Sequence, residues 1–164
     1  MILFVVTASM VAMSRWSAAG QDLTLDEYRE LAEFRYQIRC FHKATEDQAR
    51  ELGVSLDSYA LLLAVQGLPE GVRPTVSALS DRMCMPRERV GQIVAGAVEH
   101  GEITRSSPEA EGIDDWVKLT RNGREALRRM SLASRDELER SGPRLAQALL
   151  AVVKQGRRRQ RGAA

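Results

Sequence analysis

The chain has 164 residues, of which 44% are apolar and 28% charged, and its formal net charge is +2. These values indicate one globular domain with enough apolar material for a core. Its two cysteines exclude a disulfide scaffold, so a reducing compartment, the cytoplasm, is expected. The small net charge means that a surface for any polyanionic partner would have to come from local clustering of basic residues.

The first 13 residues, MILFVVTASMVAM, are unusually apolar. A secretory signal needs a basic segment before such a run, and the run is too short to span a bilayer. Three interpretations stay open: a floppy or misassigned start (Met10 and Met13 are alternative initiators), a packed extension, and an export or membrane signal. The first is favoured, so residues 1–21 are expected to be a disordered extension or a misassigned start.

Two helices are predicted next. Asp22 or Thr24 can cap a long helix that runs to about Glu51 and ends before Gly53. Its broad apolar face suits burial against both its own domain and a second subunit, and consists of Leu25, Tyr28, Leu31, Phe34, Ile38 and Phe41. The following helix, from Ser58 to about Gln66, is apolar nearly all round and is predicted to be central.

Residues 75–105 contain the pattern around which the chain is organised. Three apolar residues at helical spacing predict a short first helix: Val76, Leu79 and Met83. Pro86 is best tolerated at the first position of a second helix, whose apolar stripe is Val90, Ile93, Val94, Ala97 and Val98. Two helices joined by a few residues form the helix-turn-helix arrangement that reads a DNA major groove.

A hairpin and a helical C-terminal region are predicted after this motif. Glu102 to Ser106 and Trp116 to Thr120 alternate as two strands. Thr120 then caps a basic helix, and Gly142 with Pro143 restarts a last helix, whose stripe is Leu145, Ala148, Leu149, Val152 and Val153. Residues 156–164 are expected to form a basic disordered tail. The predicted fold class is mainly α with a small β-hairpin wing.

This arrangement resembles the MarR (multiple-antibiotic-resistance regulator) family. The resemblance rests on LLLAVQG, RPTVSALSDRM, ERVGQIV, GEITR and VKLTRNGREAL, the last being the most specific. It implies a winged helix-turn-helix domain over residues 22–155, with N- and C-terminal dimerisation helices. It further implies a homodimeric repressor that binds a pseudo-palindromic double-stranded DNA operator. A small aromatic effector or cysteine oxidation releases many such proteins from DNA.

Seven residues are expected to contact DNA: Arg73, Thr75, Ser77, Arg87, Arg89, Gln92 and Arg105. The resemblance places Arg87, Arg89 and Gln92 where the recognition helix faces bases and phosphates. Thr75 and Ser77 fall near the start of the helix that abuts the backbone. For Arg73 and Arg105, phosphate contacts and structural ion pairs within the hairpin are both open.

The predicted wing departs from the family pattern. Residues 111–113 read EGI, where typical members carry an Asp-x-Arg whose arginine enters the minor groove. The tip is acidic, with Glu109, Glu111, Asp114 and Asp115. Since carboxylates oppose phosphate contact, the wing is expected to be held away from the minor groove or turned to another partner. The alternative function is therefore a winged-helix dimer with weakened DNA binding that acts through protein–protein contact.

An effector would need a cleft between the dimerisation helices and the winged module. Arg39, Phe41, His42 and Tyr59 are candidates to converge there. The alternative, that they are ordinary core aromatics and surface polar residues, is at least as well supported.

Other chemistry has little support in the sequence. Cys40 and Cys84 are interpreted as small hydrophobes, with a redox role as the weaker alternative. His42 and His100 form no metal motif, and no cofactor is expected. The chain lacks a phosphate-binding glycine loop, a His-Glu-x-x-His and a Gly-x-Ser-x-Gly, so it is not expected to be an enzyme. Membrane attachment would rest on residues 1–13 alone.

Overall fold

The computed structural model describes residues 22–106 and 115–162, which form five α-helices and one antiparallel hairpin. The helices are α1 (Leu25–Leu52), α2 (Leu56–Gln66), α3 (Val76–Met83), α4 (Arg87–Glu99) and α5 (Arg121–Gly162). The strands, between α4 and α5, are β1 (Ile103–Ser106) and β2 (Trp116–Leu119). The predicted fold class, mainly α with a small β-hairpin wing in a winged helix-turn-helix, is confirmed.

Helix α1 begins and ends at residues that the sequence marks. Thr24 is the cap: its hydroxyl accepts from the Glu27 backbone N–H, and the Glu27 carboxylate accepts from the Thr24 N–H. This reciprocal pair satisfies two donors that a helix start otherwise leaves unpaired. At the other end Gly53 has a φ of 64°, a left-handed conformation that costs glycine little, and its N–H bonds back to the last turn.

The core of the winged module surrounds α2, which packs against α3, α4, β2 and α5. This confirms the predicted central position and explains why α2 is apolar on nearly all sides. The helix begins at Leu56 with Ser55 as its cap, slightly earlier than predicted. The largest fully buried side chains of the core are Leu61, Leu62, Leu79, Val90, Val94, Ile103 and Met130.

Hydrogen bonds to the backbone carbonyl of Glu102 hold the hairpin against the first turn of α5. That carbonyl accepts hydrogen bonds from the Thr120 N–H and hydroxyl, each 3.0 Å long. The Thr120 hydroxyl also accepts from the Gly123 N–H at 3.0 Å, confirming Thr120 as a helix cap. A Cβ on Gly123 would lie 1.9 Å from the Glu102 oxygen, so only glycine allows this approach.

Helix α5 differs from the prediction because it is one helix of 42 residues. The expected restart at Gly142 and Pro143 is wrong, as Pro143 lies inside the helix. The helical backbone also covers 156–162, where a disordered tail was predicted. An interior proline costs about 3 kcal/mol, and the packing of α5 along the length of α1 is the interaction available to offset it.

Polar contacts accompany this packing at both ends of the helix pair. The Gln155 amide donates to the Glu30 carboxylate at 3.0 Å, and the Gln48 amide donates to the Ala133 carbonyl at 3.2 Å. No helix in the described ranges is both long and apolar enough to cross a membrane. The predicted N-terminal extension, and the wing-tip residues Glu109, Glu111 and Asp114, lie outside the described residues.

Candidate nucleic-acid interface

The turn of the helix-turn-helix is held by short local bonds. Thr75 caps α3, its hydroxyl accepting from the Ala78 N–H at 3.2 Å. Cys84 ends α3 in a left-handed conformation with a φ of 54°, and the Ser80 hydroxyl donates to the Met85 carbonyl at 2.5 Å. Pro86 was predicted to be the first residue of α4. It is instead the cap, one position before the first helical residue, Arg87. The contacts at Ser80 and Cys84 hold the backbone of the turn between α3 and α4.

Helix α4 buries one side and exposes the other. The buried stripe is Val90, Ile93, Val94 and Ala97, as predicted except that Val98 is 37% exposed. The exposed stripe on the opposite side is Glu88, Gln92, Ala95 and Glu99. The predicted contact residue Gln92 therefore lies in the middle of the outward surface, which also carries two carboxylates.

Two of the predicted contact residues meet at the start of the motif. A guanidinium nitrogen of Arg87 donates to the Ser77 hydroxyl at 2.7 Å, joining the first turn of α4 to the first turn of α3. Arg87 is exposed and Ser77 is half-buried. Because a guanidinium has five N–H donors, Arg87 keeps donors for a phosphate or base while it holds Ser77.

Arg89, another predicted contact residue, has a partner within the protein, and its contact with DNA stays a prediction. Its guanidinium donates to the carboxylate of Asp57 on α2 at 2.5 Å, and the two side chains are 53% and 44% exposed. An exposed ion pair of this kind contributes about 0–1 kcal/mol, so a DNA phosphate can compete for Arg89. The sequence offered no signal for Asp57, since the pair joins positions 32 residues apart.

The base of the wing carries a cation cluster that sequence analysis identified only in part. The Arg73 guanidinium lies 4.9 Å from the ring centre of Trp116, and the Lys118 ammonium lies 5.6 Å from the same ring. Trp116 forms a β-bridge with Thr75, so the cluster adjoins the N-terminus of α3. A cation near an aromatic face is attracted to the ring while its N–H groups remain available to other acceptors. Strand alternation in WVKL could have identified Lys118 and Trp116 as one face.

Arg105 lies apart from this cluster. In the hairpin it is opposite the buried Val117, whereas Lys118 and Trp116 are opposite Thr104 and Ser106. Arg105 therefore lies on the opposite face of the strand pair, although it is exposed. In the two described ranges neither Arg73 nor Arg105 makes an ion pair, so the alternative of structural ion pairs within the hairpin gains no support there.

The four candidate effector residues lie in two environments. Arg39 and His42 are exposed on α1, and the half-buried Phe41 contacts His42 with ring centres 6.2 Å apart. Tyr59 instead packs against the core of the winged module from α2. The convergence of all four residues on one cleft stays a prediction.

The two cysteines also differ. Cys40 is half-buried on α1, where its hydrogen bond to Tyr36 raises the pKa of that phenol above its ordinary value. Cys84 is exposed at the end of α3, so the interpretation of this residue as a buried small hydrophobe is wrong. Within the described ranges no group of three histidine, cysteine or acidic residues could hold a metal ion.

No protein-family model and no curated protein matches the chain, but many solved structures share its fold. AbsC, a MarR family transcriptional regulator from Streptomyces coelicolor, is 18% identical with a TM-score of 0.69, over 87% of this chain and 99% of that one. Sco3205, a MarR family regulator from the same organism in complex with DNA, is 19% identical with a TM-score of 0.66, over 84% and 91%. CouR from Rhodococcus jostii RHA1, bound to p-coumaroyl-CoA, is 17% identical with a TM-score of 0.53, over 62% and 69%. The chain thus has the winged helix-turn-helix fold of the MarR family transcriptional regulators.

Proposed function

We propose that this protein is a sequence-specific DNA-binding transcriptional regulator of the MarR family, a homodimeric repressor that binds a pseudo-palindromic operator. The observation that carries the proposal is a run of neighbouring residues, here called the basic track: Lys118, Trp116, Arg73, Thr75, Ser77 and Arg87. Lys118, Arg73 and Thr75 contact Trp116 at the wing base, Arg87 contacts Ser77 at the start of α4, and the first turn of α3 joins the two groups.

The basic track has the composition and placement that a DNA backbone requires. Its three cations, Arg73, Lys118 and Arg87, are all exposed. Between them lies the N-terminus of α3, where backbone N–H groups and the helix dipole favour an anion. Phosphate contacts of this kind orient a protein on the duplex and leave α4 to read base edges in the major groove. The similarly folded Sco3205 is in complex with DNA, which supports the proposal that this protein binds DNA.

Homodimerisation is proposed from the terminal helices. Large apolar side chains are exposed along α1 and α5, among them Leu25 at 64%, Tyr28 at 57% and Leu150 at 55%. Exposed apolar surface of this extent on long helices is typical of a subunit interface. A two-fold dimer would cover these side chains and present two copies of α4 to the two half-sites of an operator.

Regulation by a small aromatic effector is part of the proposal. CouR, with the same fold, is bound to p-coumaroyl-CoA, and Arg39, Phe41, His42 and Tyr59 are the candidate residues in this chain. Such a regulator would act in the cytoplasm, where it meets both its DNA and its effector.

A second candidate function is a winged-helix dimer that acts through protein contact. It is favoured by the carboxylates of Glu88 and Glu99 on the exposed side of α4, which a phosphate backbone would repel. The DNA-binding experiment that follows separates the two functions.

The experiment measures binding of the full chain to a duplex library of random sequence between about 50 and 200 mM salt. The variant Arg73→Ala with Lys118→Ala removes two cations from the basic track. Each lost phosphate contact lowers the salt slope by about 0.9, so a dimer that loses four should show a slope lower by about 3.6.

The matched control is Arg128→Ala with Arg135→Ala, which removes the same charge from α5, where both arginines pair with nearby acids. The control is expected to change the slope little. An equal loss in both double variants would show that only overall charge matters. Absence of DNA binding by the wild-type chain would reject the proposed function in favour of protein contact.

A further inference from the structure

The exposed side of α4 has an acidic residue where a DNA-reading helix first meets the bases. Glu88, Gln92, Ala95 and Glu99 follow at intervals of four, three and four residues, so they lie along one side of the helix. The opposite side is the buried stripe that packs on the core. Residues near the N-terminus of a recognition helix contact base edges, and Glu88 lies in the first turn.

The arginines near Glu88 flank this stripe and already have partners. Arg87 donates to Ser77 at 2.7 Å, and Arg89 donates to Asp57 at 2.5 Å. By contrast, Glu88 and Gln92 make no side-chain hydrogen bond or ion pair with any other described residue, and Glu88 takes no part in capping α4. In the N-terminal half of α4, they are the central outward side chains with unused hydrogen-bonding capacity.

A carboxylate in the major groove accepts hydrogen bonds but cannot donate them. Guanine presents two acceptors and thymine presents an acceptor and a methyl group, so neither satisfies it. Adenine has an amine donor, but the adjacent N7 acceptor would repel the second carboxylate oxygen. Cytosine presents the N4 amine without that acceptor. An unsatisfied carboxylate beside phosphates is unfavourable, and this penalty strengthens the discrimination against the other three bases.

We propose that Glu88 determines operator specificity by selecting a cytosine at one base pair of each half-site, an inference that rests on the DNA-binding function proposed above. The acidic residue on the outward side of α4 is then a reader of sequence. Glu88 lowers the affinity for DNA sequences that lack the cytosine and leaves the affinity for the operator unreduced. The cations of the basic track supply the affinity that is independent of sequence.

The test selects bound duplexes from a random library with the full-length wild type and with Glu88→Gln. Because glutamine pairs with adenine through N6 and N7, the variant should replace the selected cytosine by adenine at one symmetric position. Competition binding should show wild-type discrimination of roughly 5- to 150-fold for cytosine over adenine there, and a reversed preference for the variant.

Glu99→Gln is the matched control, because Glu99 lies on the same stripe at the last residue of α4 and the change removes the same charge. Both variants should gain affinity for random DNA, but only Glu88→Gln should change the selected sequence. The inference is overturned if wild type and Glu88→Gln select the same motif, which would leave Glu88 as a stabiliser of the helix N-terminus. If the wild type binds DNA without selecting any motif, both the inference and the sequence-specific function fail.

Discussion

Because Gly123 lies so close to the hairpin, we predict that the variant Gly123→Ala is less stable than wild type. The added Cβ would lie 1.9 Å from the carbonyl oxygen of Glu102 and 2.9 Å from its carbon. That carbonyl cannot easily turn away, because it already accepts from both the N–H and the hydroxyl of Thr120. Relief therefore requires α5 to move away from the hairpin by about 1 Å or more.

The expected cost follows from this geometry. Inserting a methyl group into well-packed structure typically costs about 1–3 kcal/mol, and a clash with backbone belongs at the upper end of that range. A glycine with open space around it in the same helix should behave oppositely. A Cβ added to Gly156 would meet nothing within 4 Å, so Gly156→Ala should gain up to about 1 kcal/mol from helix propensity.

Chemical and thermal unfolding at one fixed protein concentration measure the difference, since the stability of a dimer depends on concentration. Gly123→Ala should unfold about 5–10 °C below wild type, with Gly156→Ala at or above it. If Gly123→Ala is as stable as wild type, the contact with Glu102 does not exclude a side chain, and the explanation for the glycine in the LTRNG segment is wrong.

The remaining predictions concern assembly and acid stability. Leu149→Glu puts a charge on the exposed apolar side of α5 and should convert the dimer to monomers, as measured by light scattering. The control Leu63→Glu, at an exposed position on α2, should stay dimeric. A monomeric wild type at micromolar concentration would contradict the proposed dimer interface. Hydrogen bonds from Lys43 and then Arg50 hold the pKa of Asp47 below its ordinary 3.8. The ionised pair therefore stabilises the fold above that pH, and the contribution disappears as pH falls through the lowered pKa. Unfolding across pH should show wild type and Asp47→Asn converging in acid, and a constant difference would refute the assignment.

Much of the fold follows from local signals in the sequence. The Thr24 and Thr120 caps, Gly53 at the end of α1 and the apolar stripe of α4 each act within a few residues. Such signals can be read because their hydrogen bonds and periodicities are set by neighbouring positions along the chain. They were sufficient to predict the order of helices and strands as far as the start of α5, and with it the winged helix-turn-helix.

Tertiary contacts decided what the local signals could not. Pro143 predicted a break, yet α5 continues through it, because packing along α1 can outweigh a local penalty of about 3 kcal/mol. Arg89, a predicted DNA contact, pairs with Asp57, a partner 32 residues away that no local signal indicated.

In the candidate DNA-binding site, too, some features follow from local sequence and others only from tertiary contacts. The sequence by itself determined that a helix with Arg87 and Gln92 near its start follows a tight turn. Only the tertiary structure brought Arg73 and Lys118 to the same tryptophan ring, because the strand register and the bridge between Thr75 and Trp116 join segments distant in the chain. Which side of a helix faces outward depends on what covers its other side, and that is a property of the whole packed chain.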